Sequence, residues 1–381
     1  MDIASKSLVV ARRGGVAEWL RERRALLAWC AASRAAVLGA ALALHWLRRP
    51  SGFFGPRIFA DPVGVLGAWD GGWYTRVAAH GYLLIPGRQS DPAFFPLFPI
   101  VLRGAHSLGL SLTAAGVLIS NVAFVVAVLA LDDLGRRLLG PEAGSRSACY
   151  AAVFPAGFVF SMAYPESIVL AAMALAGSLA LARRWRLAAV AAAVAALARP
   201  EGALVAIPLA ATAWAQRRWL SSRSAGAAAG AVLAPLAAVA SFPLYLHWAL
   251  GDVTAWQRAE QAWGRAFKPD GPVRALVHLQ NLALHPWLAR DVALLVVYLV
   301  LLVLAYRRRV PRGWLVMGSL VLLLPLWSGS FVSETRFGLL ALPVYWGLGT
   351  LRMRARLHHA LAGAMLALLT VGTFTLPVAF P

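Results

Sequence analysis

The sequence predicts an all-α polytopic membrane protein, and three observations carry that prediction. First, 60% of its residues are hydrophobic and only 14% are charged, against about 25% charged in a soluble domain. Mean hydropathy is +0.68, so the surface of a water-soluble fold could not be covered. Second, the apolar runs are continuous and about 20 residues long, which fits helices and not the alternating strands of about 10 residues that build a membrane barrel. Third, the arginines come in short clusters between those runs, as the positive-inside rule requires of cytoplasmic loops.

The clusters set the topology. They are Arg12/Arg13/Arg21/Arg23/Arg24, Arg136/Arg137/Arg146, Arg183/Arg184/Arg186, Arg217/Arg218/Arg223, Arg307/Arg308/Arg309/Arg312 and Arg352/Arg354/Arg356. With all six in the cytoplasm, about eleven transmembrane helices follow. They lie near 25–47, 113–132, 147–163, 166–182, 187–199, 202–216, 225–250, 289–306, 313–328, 337–351 and 357–377. The chain 1–381 then reads as a single integral-membrane domain. Residues 1–24 form a cytoplasmic segment, and the C-terminus lies outside. The first run is too long for a signal-peptide core and is expected to be retained. A formal net charge of +20 raises nucleic-acid binding as an alternative. The placement of the arginines between spans argues for membrane orientation instead. Lysine occurs only at Lys6 and Lys268, and with the abundance of alanine this points to a GC-rich bacterial source.

Two outer loops are long, 48–112 and 251–288, and long loops in compact proteins are usually functional or disordered. The second contains Trp256, Trp263, Trp287, Asp252, Glu260 and Asp270. Their aromatic content argues for packing at the membrane interface. Within the first, residues 94–110 are apolar enough to span but hold Pro96, Pro99, Arg103 and His106. We expect an interfacial helix there, apolar on one face and polar on the other.

The chemistry-bearing residues concentrate on the outer side. Trp69-Asp70-Gly71-Gly72-Trp73-Tyr74 places an acid among glycines and aromatics. A carboxylate there can take a proton from a sugar hydroxyl, Gly71 and Gly72 permit unusual backbone, and Trp69, Trp73 and Tyr74 offer flat faces to a sugar ring. The alternative is a capped turn with interfacial aromatic anchors. Glu166, after Pro165, either opens a helix or contacts substrate. Arg199-Pro200-Glu201 interrupts an alanine-rich run. Charged residues in such a place are costly and point to function. Arg199 can grip phosphate oxygens in pairs or simply pair with Glu201. Arg336, in Ser333-Glu334-Thr335-Arg336-Phe337, is a second phosphate candidate or a snorkelling interfacial arginine. His80 and His106 can bind substrate, relay protons or serve structure. The two cysteines, Cys30 and Cys149, suggest no disulfide framework. No glycine-rich phosphate loop, zinc spacing or Ser-His-Asp order appears.

These residues resemble a known family. Trp69-Asp70-Gly71 through His80-Gly81-Tyr82, then Phe94-Phe95-Pro96-Leu97-Phe98-Pro99, Ser120-Asn121, Phe154-Pro155-Ala156, Tyr164-Pro165-Glu166-Ser167 and Ala198-Arg199-Pro200-Glu201-Gly202 are similar, in order, to the PIG-V-like mannosyltransferases of the GT-C superfamily. The similarity covers roughly 60–210, with Arg336-Phe337 as a late anchor. It implies a GT-C-like helical bundle with interfacial helices in the first outer loop. It also implies an inverting glycosyltransferase that moves mannose from polyprenyl-phosphate-mannose to an acceptor hydroxyl on a glycolipid, glycan or protein. The active site would face away from the cytoplasm, in the plasma (inner) membrane. Asp70 matches the family's loop acid and is the expected general base. Arg199 and Arg336 would hold the donor phosphate. Trp69, Trp73, Tyr74, His80, Glu166 and Glu201 would contact substrate. Glu201 departs from the small polar residue of the eukaryotic relatives, which bears on acceptor choice. The residues present require no metal, and a divalent ion between Asp70 and the phosphate is compatible with them. The alternatives from other classes are a flippase for lipid-linked sugars, a GT-C enzyme for another sugar, and a membrane scaffold.

Overall fold

The computed structural model describes residues 16–47, 56–281 and 286–377. Arg12 and Arg13 of the first basic cluster lie outside the described residues, as do parts of both long loops. The described residues form sixteen α-helices joined by turns and 3-10 segments. In order these are α1 (Val16–Leu47), α2 (Asp70–His80), α3 (Leu97–His106), α4 (Leu112–Leu139), α5 (Pro141–Ala152), α6 (Glu166–Leu181), α7 (Trp185–Ala198) and α8 (Ala206–Gln216). Then come α9 (Ser222–Leu250), α10 (Ala255–Ala262), α11 (Gly271–Val277), α12 (Pro286–Arg307), α13 (Arg312–Leu323), α14 (Glu334–Phe337), α15 (Leu342–Gly349) and α16 (Ala355–Phe374).

Five helices are long and apolar enough to cross a membrane: Glu18–Leu47, Leu112–Leu139, Ser222–Leu250, Trp287–Arg307 and Ala355–Phe374. Their exposed large hydrophobic side chains are mostly valine and leucine, for example Leu118, Val122, Leu233, Val296 and Leu368. A lipid-facing surface has that character, and the chain is an integral membrane protein. Shorter apolar helices, Glu166–Leu181 and Trp185–Ala198, pack between α4 and α9. Small side chains let them approach: in α7, Ala188, Ala192, Ala195, Ala196 and Ala198 are buried against the neighbouring helices. Close packing of small residues is the main source of helix association where lipid removes the hydrophobic drive.

Two of the expected spans are not continuous helices. The run at 147–163 divides into the end of α5, a turn at Phe154-Pro155, and a 3-10 segment Gly157–Ser161. The run at 337–351 divides into the end of α14, a 3-10 turn and α15. Proline explains the breaks, because Pro155, Pro165 and Pro343 cannot donate a backbone hydrogen bond inside a helix. Irregular backbone is tolerated at membrane depth where protein covers it. Both segments meet that condition, since nearly every side chain from Ser147 to Ser167 and from Ser333 to Gly349 is buried.

Within the stretch 94–110 a helix forms, though its exposed face is not purely polar. Helix α3 buries Phe98 and Leu102 and exposes Ile100 and Val101. The Asp70 motif differs from expectation. Asp70 is the first residue of α2, and Gly71 and Gly72 are helical. The unusual backbone falls instead on Trp69, with φ 57°. The chain reverses direction immediately before the helix, so the strained position is the cap and not the glycines.

Contacts show which residues share an end of the bundle. Arg23 pairs with Asp132 at 3.0 Å, Arg146 donates to the Leu351 carbonyl, and Gln216 donates to the Ala180 carbonyl. Because successive helices run in opposite directions, the clusters at 136–146, 183–186, 217–223, 307–312 and 352–356 gather at this end. Asp70, Glu166, Arg199 and Arg336 lie at the other.

Helix α14 is seated by α12. Asp291 accepts hydrogen bonds from the backbone N–H of Ser333 (3.0 Å) and Thr335 (3.1 Å) and from the Thr335 hydroxyl. The Tyr298 hydroxyl donates to the Thr335 carbonyl at 2.8 Å. A Cβ on Gly338 would stand 2.0 Å from the Tyr298 ring, which is fully buried and stacked on Phe154. Gly338→Ala should therefore overpack the α12–α14 contact, at a cost of about 1–3 kcal/mol. Gly363→Ala, with nothing within 4 Å of the new Cβ, should be neutral or stabilising. Thermal unfolding of both variants in detergent checks this, and a Gly338→Ala midpoint equal to that of the Gly363→Ala protein would refute it.

Candidate functional site

The end of the bundle opposite the arginine clusters holds a cavity of about 980 Å3, the upper part of the range in which small-molecule sites fall. Its floor is an alternating chain of buried charges. Asp70 Oδ2 accepts from Arg336 Nη1 at 2.5 Å. Arg336 Nε lies 3.4 Å from Glu166 Oε1. The same Glu166 oxygen accepts from Arg199 Nη1 at 2.5 Å. Arg199 then makes a two-pronged contact with Glu201, Nε to Oε2 at 3.1 Å and Nη2 to Oε1 at 3.0 Å. Asp70 is 2% exposed, Glu166 0%, Arg199 7% and Arg336 1%. Charges this deeply buried persist only when paired.

Local sequence explains how each member reaches the chain. Asp70 and Glu166 are the first residues of α2 and α6, where the helix dipole favours a negative group. Arg199 ends α7 in an extended conformation, because Pro200 stops the helix. Glu201 follows at the start of a 3-10 turn. Gly202 makes that reversal possible, since a Cβ there would lie 2.2 Å from the Ala195 carbonyl oxygen. Arg336 sits in α14, whose cap Ser333 has φ 71°. Both helices that supply the Asp70–Arg336 pair are thus entered through a left-handed non-glycine residue. Each such residue costs about 1–3 kcal/mol and is held in place by its surroundings. For Trp69 that hold includes an indole N–H donated to the Leu376 carbonyl at 2.9 Å.

Tyr164 stitches the floor together. Its hydroxyl accepts from the Asp70 backbone N–H at 3.1 Å, its carbonyl accepts from Ser120 at 2.8 Å, and Arg336 lies over its ring at 5.4 Å. The Tyr164-Pro165-Glu166 segment therefore positions both the acid of α2 and the arginine of α14.

Six of the expected site residues line the cavity: Trp69, Asp70, Tyr74, Arg199, Glu201 and Arg336. Glu166 is outside the lining, directly behind it, and bridges the two arginines. Trp73 also stands one layer back, stacked on Phe94 at 5.8 Å and edge-on to Trp263 at 5.3 Å. His80 is exposed at the end of α2, and His106 is exposed and bonded to the Leu110 carbonyl. From the second long loop Trp256, Glu260, Trp263 and Trp287 line the cavity too, and the structure adds Arg265 and Lys268 beside them. The sequence signalled the loop by its tryptophans but gave no spacing that ties Arg265 or Lys268 to Asp70. Among the described residues, no group of three or more His, Cys, Asp or Glu side chains could hold a metal ion.

The electrostatics follow from this arrangement. Burial works to raise the Asp70 carboxyl, but Arg336, Arg265 and Arg199 outweigh it and hold it below the ordinary aspartate value of 3.8. Asp70 is an ionised acceptor at neutral pH. Glu260 behaves oppositely. Burial, the largest influence, pushes it up, Glu201 pushes the same way, and Arg265 opposes them without prevailing.

Removing Glu166 would leave two buried guanidiniums without their shared partner, a change that costs about 3–5 kcal/mol in comparable pairs. Glu166→Gln should accordingly lower the thermal midpoint in detergent far more than Glu260→Gln, whose carboxyl holds no ion pair among the described residues. Equal midpoints for the two variants would show that the chain of charges does not support the fold.

Residues 90–242 match the sequence profile of the family described as dolichyl-phosphate-mannose-protein mannosyltransferase, a stretch that runs from the loop before α3 through most of α9. No curated protein sequence matches the chain. The solved structures similar to this chain include two of oligosaccharyltransferases. One is the archaeal oligosaccharyltransferase AglB from Archaeoglobus fulgidus, in complex with an inhibitory peptide and a dolichol-phosphate (14% identity, TM-score 0.48, covering 94% of this chain and 56% of that one). The other is the oligosaccharyltransferase of Archaeoglobus fulgidus tethered with an acceptor peptide (12% identity, TM-score 0.41, covering 94% and 55%). The chain spans a little over half the length of these structures.

Proposed function

We propose that this protein is a membrane glycosyltransferase that takes its sugar from a polyprenyl-phosphate carrier. The observation that carries the reading is the cavity itself. An ionised carboxylate, Asp70, shares one wall with the guanidiniums of Arg336 and Arg199, and Arg265 and Lys268 add positive charge beside them. A base for a hydroxyl and a cationic cradle for a phosphate are thus presented together at one end of a bundle of lipid-exposed helices. The match of residues 90–242 to a family described by dolichyl-phosphate-mannose supports the same class of donor.

The finer reading is a PIG-V-like, inverting mannosyltransferase of GT-C type. In the reaction we infer, Asp70 takes the proton of an acceptor hydroxyl. The hydroxyl oxygen forms the new bond to the anomeric carbon as the bond from that carbon to the phosphate oxygen breaks on the opposite face. Polyprenyl phosphate leaves as an anion, so no acid is needed to protonate it, and the two-carboxylate arrangement of a glycosidase is not required. Arg336 and Arg199 stabilise the departing charge. Glu166 positions both arginines from behind, and Glu201 steers Arg199. With the arginine clusters in the cytoplasm, the cavity opens on the extracytoplasmic side, where a polyprenyl-linked donor and a glycolipid, glycan or protein acceptor meet.

Detergent-purified protein given polyprenyl-phosphate-mannose and a membrane-lipid and glycan extract should yield a mannosylated product by mass spectrometry. Asp70→Asn should slow its formation by about 10²–10⁴-fold, the usual contribution of a general base; near-wild-type turnover would remove Asp70 from that role. The pH profile offers a second check. A carboxyl held below 3.8 stays ionised as pH falls from about 8 to about 5, so kcat/KM of the wild type should show no Asp70 limb in that range. An acid limb there that Asp70→Asn abolishes would contradict the depressed value.

A further inference from the structure

Helix α10 carries Trp256, Glu260 and the capping residue Trp263 at spacings of four and three. That spacing puts them on one helical face, and all three line the cavity. Glu260 differs from the other lining carboxylates. Asp70 is held by Arg336 and Glu201 by Arg199, whereas Glu260 makes no ion pair among the described residues. Its neighbours on the helix are indoles. Both rings are braced from behind: Trp256 stands edge-on to Phe95 at 5.3 Å, and Trp263 stands edge-on to Trp73 at 5.3 Å and Phe94 at 5.6 Å. The Trp263 N–H donates to the Ser90 carbonyl at 3.3 Å, and Arg265 covers part of its ring at 5.0 Å.

We propose that this face of α10 is the sugar-reading wall of the cavity, and that it takes the uncharged hexose of the donor. Adjacent hydroxyls of the sugar hydrogen-bond to the two Glu260 oxygens, while the apolar face of the ring lies against the indoles. Glu260 is a specificity residue here and performs no bond-making step. The chemistry suits a neutral polyol for three reasons. A carboxyl with both oxygens unclaimed by cations accepts two hydroxyls at once. Tryptophan gives a rigid apolar surface at little entropic cost. An acidic group on the wall also disfavours a sugar that bears its own carboxylate. Arg336 and Arg199, which also line the cavity, then remain for the phosphate. The proposal rests on the glycosyltransferase reading and assigns the part of that site which selects the sugar.

The test is binding to detergent-purified full-length protein of three probes: bare polyprenyl phosphate, polyprenyl-phosphate-mannose and polyprenyl-phosphate-glucose. The wild type should bind at least one sugar-bearing lipid more tightly than the bare phosphate. In Glu260→Gln and Trp256→Phe that preference should shrink about tenfold or more, the scale of a lost hydrogen bond to a charged group, while affinity for bare polyprenyl phosphate is unchanged. A preference intact in Glu260→Gln overturns the proposal and leaves the transferase reading standing. So does an equal loss for all three probes, which marks a purely structural residue. Failure of the wild type to bind any polyprenyl phosphate overturns the donor reading itself.

Discussion

The pair between Asp70 and Arg336 closes the structure around its cavity. The two residues are 266 positions apart in sequence, and no other contact described joins the first outer loop so directly to the late α14 turn. Through Glu166 and Arg199 the pair extends to α6 and α7, so one chain of alternating charges holds four separate segments. The energetic logic is that of obligatory partners. Burying any one of these groups alone would cost several kcal/mol, and each is tolerated because the next neutralises it. The two left-handed entry residues, Trp69 and Ser333, show the backbone bent to bring the ends of this chain together.

The segments that deliver these charges are the irregular ones. Glu166 follows the turns and 3-10 segment between α5 and α6, and Arg336 lies in a four-residue helix between turns. Both stretches are sheathed by other helices, so their broken backbone faces protein and not lipid. Proline is used twice over: Pro155 and Pro165 break the chain, and Pro200 stops α7 so that Arg199 points back across the site. A continuous helix through either stretch would carry its charged residue along a regular spiral and could not present it beside one from another segment.

Much of this was legible in the sequence. Continuous apolar runs marked the membrane character, and arginine clusters set apart the end of the bundle that carries the chemistry-bearing residues. Arg199 and Glu201 stood out as charges interrupting an apolar run, and Asp70, Glu166 and Arg336 as charges at the outer ends of the spans. The breaks at 147–163 and 337–351 were not legible, because a buried irregular segment has the same apolar composition as a span. The pairing was not legible either. Arg199 and Arg336 each had several carboxylates to choose from, and only the tertiary fold decides that Glu166 sits between them. Gly71 and Gly72 invited a flexible loop, yet they are helical, and the strain falls on Trp69, a residue whose propensity gave no hint of it. The second loop announced itself by tryptophans, but its part in the cavity depends on how α10 packs against the first loop through Phe94 and Phe95.

The charge balance of the cavity bears on the proposed reaction. Arg199, Arg265, Lys268 and Arg336 line it together with Asp70, Glu201 and Glu260, with Glu166 behind. Four cations therefore meet four carboxyls. A phosphodiester brings a single negative charge to this balanced set, beside the guanidiniums of Arg336 and Arg199. Transfer adds no net charge to the site. As the acceptor proton moves to Asp70, that carboxylate becomes neutral, and the leaving phosphate gains the charge Asp70 has lost. Arg336 is the group in contact with Asp70 at the outset. Once Asp70 is protonated, its claim on Arg336 weakens at the moment the phosphate oxygen becomes more negative. The same guanidinium can then serve the base before transfer and the leaving group after it. An arginine suits that exchange better than a lysine, because its planar fork can hold Asp70 and a phosphate oxygen with different N–H groups at once.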